Sequence, residues 1–404
     1  MAAIDPKEPR NFLVRLFGDF GGIYAVNAII GFIFAASGPV AIILTVGTKG
    51  GLSEADLASW IFGAFFINGL LSIAFCLYYR QPLVFFWTIP GTVLVGSALT
   101  HLTFPEVIGA FIATGLLMLV LGLSGWVQKI MKMIPMPIVM AMVAGVFLQF
   151  GLDLVFAIRD GFWIAAPMAL VFLILSFVPQ LAKLMPPLIG ALIVGTIAIV
   201  VTGSMDQAHF GDTLFALPNL YAPVFSWEAM VELVVPLAIT VLVVQNGQGF
   251  AVLTAVGHKP PLNPITVACG GFSILTAFVG TVSTCLTGPV NALISSSGET
   301  QRHYTAGVMV GILALVFGLM SPLFTSAMLA APSAFIAGLA GLAMLRVLQA
   351  AMTTAFKSTF TLGALVTFLV TVADVPIFGL GAPFWGLVFG YAVSRMLEQK
   401  DFAE

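Results

Sequence analysis

Two short stretches carry the chemistry in an otherwise apolar chain. PLVFFWTIPGTVLVGS occupies positions 82–97 and TVSTCLTGPVNALISSS occupies 281–297. Each opens on β-prone residues, passes a Thr-x-Pro-Gly or Thr-Gly-Pro break, and resumes as a short helical run. Proline suits the first turn of a helix, because its missing N–H would be unpaired there anyway. Pro90 with Gly91, and Pro289 with Gly288, therefore read as starts of half-helices. A helix start presents unpaired N–H groups and about half a positive charge, which suits an anionic oxygen.

Side chains beside the breaks narrow the ligand. Phe85, Phe86 and Trp87 precede the first break. Strand alternation turns Phe86 to one face and Phe85 and Trp87 to the other, so an aromatic ring is expected to stack on a flat ligand. Thr88, Thr92, Ser283, Thr284, Thr287 and Asn291 offer neutral hydrogen bonds, some of which satisfy local backbone. A third polar group lies in VVQNGQGFAV (243–252), where Gln245, Asn246 and Gln248 sit deep in an apolar run. Unpaired amides there are costly, so they bind either substrate or neighbouring helices.

The elements that must position these groups follow from composition. The 404 residues are 60% hydrophobic and 8% charged, with a net charge of −2. Runs such as FIATGLLMLVLGLSG (111–125) hold no ionisable side chain, and a bilayer core needs about 20 apolar residues per helical span. This predicts an all-α polytopic membrane protein and gives no basic surface for nucleic acid. Cys76, Cys269 and Cys285 lie in apolar segments and read as small core residues, with no metal or cofactor site implied. No metal, nucleotide or nucleophile motif points to an enzyme.

Hydropathy with Pro, Gly and charge punctuation gives fourteen spans: 23–45, 58–79, 82–99, 105–124, 136–156, 162–178, 186–203, 228–247, 263–279, 282–298, 303–322, 332–352, 359–374 and 382–398. With a cytoplasmic N-terminus, twelve basic residues fall inside (Lys7, Arg10, Arg15, Arg80, Lys129, Lys132, Lys183, Lys259, Arg302, Lys357, Arg395, Lys400). Only Lys49 and Arg159 fall outside, and Arg346 lies within span twelve. That asymmetry follows the positive-inside rule and places both termini in the cytoplasm.

The halves echo one another at a spacing near 197. LVLGL (119–123) matches LVFGL (315–319), and PPLIGALIVG (186–195) resembles APFWGLVFG (382–390). Pro39 recurs as Pro236, Pro90 as Pro289, Pro137 as Pro332 and Pro179 as Pro376. Seven spans per half invert the second half, the pattern of secondary transporters whose substrate sites lie where broken helices meet. The organisation expected is an N-terminal segment 1–22, a first repeat 23–203, an external loop 204–226 and a second repeat 227–399. The two half-helix starts are expected face to face.

QNGQGFAVLTAVGHKPPLNPIT, STCLTGPVNALISSSGE, HYTAGVMVG and TLGALVTFLVTVADVPIFGLGAPFWGLVFGY closely resemble the benzoate–proton symporter (BenE) family. The resemblance runs along most of the chain and is densest over 240–395. It implies proton-driven uptake of benzoate or a similar aromatic carboxylate across a bacterial inner membrane. It also implies the fourteen-span fold of uracil permease and its relatives, with spans 1–4 and 8–11 as core and spans 5–7 and 12–14 as gate. A homodimer through the gate domain is implied by the relatives alone. Nucleobase relatives carry an essential carboxylate in span eight, where this chain offers Asn246, with Gln245 and Gln248 nearby. That departure suits a ligand that is itself an acid. A nucleobase permease and a sulfate-transporter-like exchanger or channel are the alternatives.

A proton carrier is the least legible feature. Asp153 and Asp374 lie toward the external ends of spans five and thirteen, Glu228 and Glu232 near the external start of span eight, and Glu299 and His303 at the cytoplasmic end of span ten. None is obviously central. Either the transported acid carries its own proton, or Glu232 relays it.

Overall fold

Helix formation follows the sequence punctuation. In the computed structural model, residues 16, 18–127, 129, 135–178, 180–181, 185–204, 214–378 and 380–402 are described. Most of the expected 1–22 segment, Lys132, Lys183, Pro179 and part of the 204–226 loop lie outside them. The elements are α1 (Gly22–Lys49), α2 (Glu54–Tyr79), β1 (Phe85–Trp87), α3 (Ile89–Ala98), α4 (Phe104–Ser124), α5 (Met136–Asp160), α6 (Phe162–Phe177) and α7 (Pro187–Thr202). The second half contains α8 (Trp227–Ala255), α9 (Leu262–Ala277), β2 (Thr284–Leu286), α10 (Gly288–Ile294), α11 (Thr300–Leu319), short α12 (Ser321–Leu329), α13 (Ser333–Ala355), α14 (Thr361–Ala373) and α15 (Ala382–Leu397). Every predicted span has a counterpart, and spans three and ten are each part strand and part half-helix.

Local signals explain the boundaries. Capping boxes start α2 at Ser53 with Asp56 and α4 at Thr103 with Glu106. Gly125 ends α4 in the left-handed conformation, at φ 72°. With 21 residues, α4 is about 32 Å long, enough for a hydrocarbon core of about 30 Å. Pro39 follows the break in α1 at Ser37. Its repeat partner Pro236 sits inside α8, just before a π-helical segment, Thr240–Gln245. Pro137 and Pro332 both stand at helix starts, those of α5 and α13.

The inverted repeat is visible in the packing. α4 lies on α9 as α11 lies on α2, and α8 meets α4 as α1 meets α11. At both crossings glycines allow backbone contact. A Cβ on Gly69 would stand 2.9 Å from the Gly311 carbonyl, and one on Gly115 would stand 2.9 Å from that of Gly270. Gly69 and Gly270, and Gly115 and Gly311, are repeat equivalents. A second set forms around α5 and α13, with α6, α7, α14 and α15 packed beside them. The second half of α1 meets α13 across the seam between the sets.

Candidate functional site

β1 and β2 pair antiparallel, Phe85 with Leu286, Phe86 with Cys285 and Trp87 with Thr284. The Thr88 N–H donates to the Ser283 carbonyl at 3.0 Å and the Thr287 N–H donates to the Val84 carbonyl at 3.1 Å. The ribbon has only three residues per strand, so its outer edges need partners. Side chains supply them. Ser72 Oγ accepts from the Phe85 N–H at 2.8 Å, and Ser273 Oγ accepts from the Thr284 N–H at 2.9 Å. Asn246 Oδ1 accepts from the Leu286 N–H at 2.7 Å. Asn291 Oδ1 accepts from the Val84 N–H at 3.0 Å, while its Nδ2 donates to the Val84 carbonyl at 3.2 Å.

The half-helix starts are not in contact. Thr88 and Thr287 cap α3 and α10 at opposite ends of the ribbon, four register steps or about 13 Å apart. Thr88 Oγ1 accepts from the Gly91 N–H and bonds to Thr240 Oγ1 at 3.1 Å, tying α3 to the π segment of α8. Thr92 donates back to the Thr88 carbonyl, and Pro90 sits buried in the same turn. Thr284 donates to Asn68 Oδ1 at 2.9 Å. These hydrogen bonds tie the ribbon and α3 to neighbouring helices, and Gln245 is buried beside them in α8.

The aromatic run is packed rather than open. Phe85 meets Phe75 edge-on at 5.0 Å, while Phe86 and Trp87 tilt against Phe65 at 5.1 and 5.2 Å. All three are at most 3% exposed. Among the described residues Trp87 Nε1 and Ser283 Oγ are buried without a hydrogen-bond partner.

Two of the predicted residues do line a cavity, Gln248 and Pro289. The cavity holds about 1030 Å³ and lies on the seam between the two helix sets. Phe34, Val243 and Val244 extend the wall on one side, while Met140 of α5, Phe172 of α6 and Arg346 of α13 face them from the other. Gly288 lies directly under Gln248, since a Cβ there would sit 2.6 Å from Gln248 Oε1. The lining is mostly apolar, with one charged side chain, Arg346, and no carboxylate.

The face away from the cavity is held by polar pairs across the seam. Lys49 at the end of α1 meets Asp153 of α5 at 3.1 Å, and Gln149 also donates to Asp153 at 2.8 Å. Ser97 of α3 donates to Asp374 after α14 at 3.0 Å. Glu232, 5% exposed, pairs with His101 Nε2 at 2.9 Å, and Gly381 lies against its carboxylate. His303 belongs to a different cluster. It is buried with His258, Nε2 to Nδ1 at 3.2 Å, and meets Tyr24 edge-on. Burial, and then the neighbouring His303, push the His258 imidazole down to about 4.

Ser72, Ser273, His101 and Lys49 carry site geometry that sequence reasoning missed. A signal existed for the serines, which stand alone in apolar helical runs 201 positions apart, near the repeat spacing. His101 and Lys49 lie at span ends, where sequence carries no hint of the partner.

Broken helices around a short ribbon, two packed helix sets and a seam cavity define a multi-pass membrane transport protein. Residues 22–396 match the family model described as benzoate membrane transport protein, BenE, and the chain belongs to this family. It is 30% identical over 373 residues to the inner membrane protein YdcO of Escherichia coli, covering 89% of this chain and 93% of that one. It is 28% identical over 359 residues to the benzoate membrane transport protein of Acinetobacter baylyi, covering 88% and 90%. Among solved structures it is similar to the transmembrane domain of a cyanobacterium bicarbonate transporter, BicA. That match has a TM-score of 0.62, 19% identity, and coverage of 90% of this chain and 97% of that one. The murine Solute Carrier 26 family member A9 anion transporter, in the inward-facing state, matches with a TM-score of 0.61 at 15% identity, covering 98% and 73%. These two likenesses establish the inverted-repeat fold.

Proposed function

We propose that this protein imports benzoate or a related aromatic carboxylate by proton symport across a bacterial inner membrane. The observation that carries the reading is the seam cavity: mostly apolar, large enough for a single aromatic ring, and free of carboxylates among its lining residues. An aromatic acid needs an apolar wall for its ring and no fixed negative charge near its carboxylate. A nucleobase site would use a fixed hydrogen-bonding carboxylate, and no such group lines this cavity.

The core domain comprises α1–α4 and α8–α11 with the ribbon, and the gate domain comprises α5–α7 and α13–α15. With both termini cytoplasmic, the cavity opens inward, and the pairs Lys49–Asp153 and Ser97–Asp374 close the outside. Transport then moves core against gate, breaking these pairs as the cavity closes. Among the proton-coupling candidates, Glu232 is favoured, because it is buried, bonded to His101 and placed where the core meets Gly381 at the start of α15 in the gate. Asp153 and Asp374 serve as closure contacts.

Uptake of labelled benzoate into proteoliposomes tests the reading, with and without an inward proton gradient. Gradient-driven uptake blocked by salicylate, and not by uracil or sulfate, is the expected result. No benzoate uptake, or competition by uracil or sulfate, would show that the substrate is wrong.

A further inference from the structure

We infer that Arg346 reads the charge of the transported anion, binding its carboxylate from the gate side while the core side holds the ring. The inference rests on the aromatic-acid reading above and names the residue that makes the site select an anion.

Arg346 lies in α13, nine residues before the helix end at Ala355, about 14 Å in from that end. A charged side chain at that depth is costly unless it has a partner or water. No carboxylate lies within ion-pair distance of Arg346 among the described residues. Its hydrogen bond is to a neutral group, NH1 donating to Gln349 Oε1 at 3.1 Å. A guanidinium has five N–H donors in a planar fork that fits a carboxylate bidentately, so most of this fork is free. Arg346 is exposed, and it lines the cavity as its one charged member.

The opposite wall carries no charged side chain. Gln248 offers a neutral amide, and Phe34, Val243, Val244 and Leu293 offer only apolar surface. The two walls therefore divide the ligand's chemistry. Because Arg346 and Gln248 belong to opposite helix sets, a ligand touching both bridges the seam. Charge recognition is thereby tied to the inward-open state, and the anion is released as the seam widens or reseals.

Calorimetry on the purified full-length protein in detergent, with benzoate and neutral benzamide as probes, tests this. Arg346→Gln is expected to weaken benzoate binding about tenfold to a hundredfold, the range for a lost charge-assisted contact, and to leave benzamide unchanged. Arg346→Lys should keep a preference for benzoate, at lower affinity, because a point charge replaces the fork. A second measurement needs no variant: benzoate, and not benzamide, should protect Arg346 of the native protein from an arginine-modifying dicarbonyl, read by mass spectrometry of its peptide. Unchanged benzoate binding by Arg346→Gln, equal loss of both probes, or equal labelling with and without benzoate would overturn the inference alone. Failure of the native protein to bind benzoate at all would overturn the aromatic-acid reading, and this inference with it.

Discussion

Asn291 holds both backbone groups of Val84, 207 residues away in the chain: the N–H at 3.0 Å and the carbonyl at 3.2 Å. The contact fastens the start of one half-helix to the residue that enters the other repeat's strand. It makes the amide a structural clamp on the ribbon, and it sets a test. Asn291→Leu strands the buried Val84 N–H, at about 1–3 kcal/mol, and removes one of the two hydrogen bonds to the Val84 carbonyl, worth about 1 kcal/mol, leaving the one from the Thr287 N–H. Thermal unfolding in detergent should show a loss of about 2–4 kcal/mol. Asn291→Asp should also destabilise, since it removes the donor and sets an oxygen against the Val84 carbonyl.

The glycine crossings should be intolerant in both halves. Gly270→Val would drive side-chain atoms into the Gly115 carbonyl and the backbone of Leu119. Gly69→Val would do the same at Gly311. Overpacking of this kind costs about 1–3 kcal/mol or more. Parallel losses in melting temperature for the two variants would reflect the equivalence of the crossings. A tolerated Gly69→Val beside a damaging Gly270→Val would contradict it.

Gly288 sets the position of Gln248. In Gly288→Ala the added methyl displaces the Gln248 side chain, whose flexible end can move into the cavity. Benzoate affinity should fall several-fold with a small change in melting temperature. A large stability loss with intact affinity would place the strain in the ribbon instead.

Closure of the face away from the cavity should be shared between weak contacts. An exposed ion pair such as Lys49–Asp153 is worth about 0–1 kcal/mol, so Lys49→Met alone should shift the balance of states up to about fivefold. Combined with Ser97→Ala, the shift should approach tenfold or more. The readout is labelling of a cysteine placed at the neighbouring buried Leu380 by a membrane-impermeant reagent. Unchanged labelling in the double variant would exclude these contacts as the closure.

The His258–His303 pair predicts an acid sensitivity of folding. The folded-state value for His258 lies near 4, below its ordinary 6.5. Between those values the unfolded chain binds the proton and the folded chain resists it, so stability is full above about 6.5 and falls as pH drops toward 4. Melting temperatures across this window should decline for the native protein and flatten in His258→Gln. A flat profile for the native protein would contradict the burial-driven shift.

Most of the fold was legible because membrane spans are written in long apolar runs and in proline and glycine breaks. The ribbon was legible from two matched breaks. The partition of roles was not. Asn246 and Asn291 suggested ligand contacts, yet short strands buried in hydrocarbon leave backbone groups that only neighbouring side chains can satisfy, and these amides do so. The aromatic run 85–87 suggested a stacking wall, and packing against Phe65 and Phe75 absorbed it. Arg346 stood out as a charge within a span, but its place on the cavity depends on how α13 faces α8 and α10 across the seam, a relation between distant segments that no local pattern encodes.

The central claim is the location of the ligand. The most direct test is a structure of the protein with 4-iodobenzoate, whose iodine is located by anomalous scattering. The account predicts iodine among the apolar residues of the seam cavity, with the carboxylate at the Arg346 guanidinium and the ring near Gln248 and Pro289. Iodine at the ribbon beside Trp87 and Ser283, or outside the seam altogether, would contradict it.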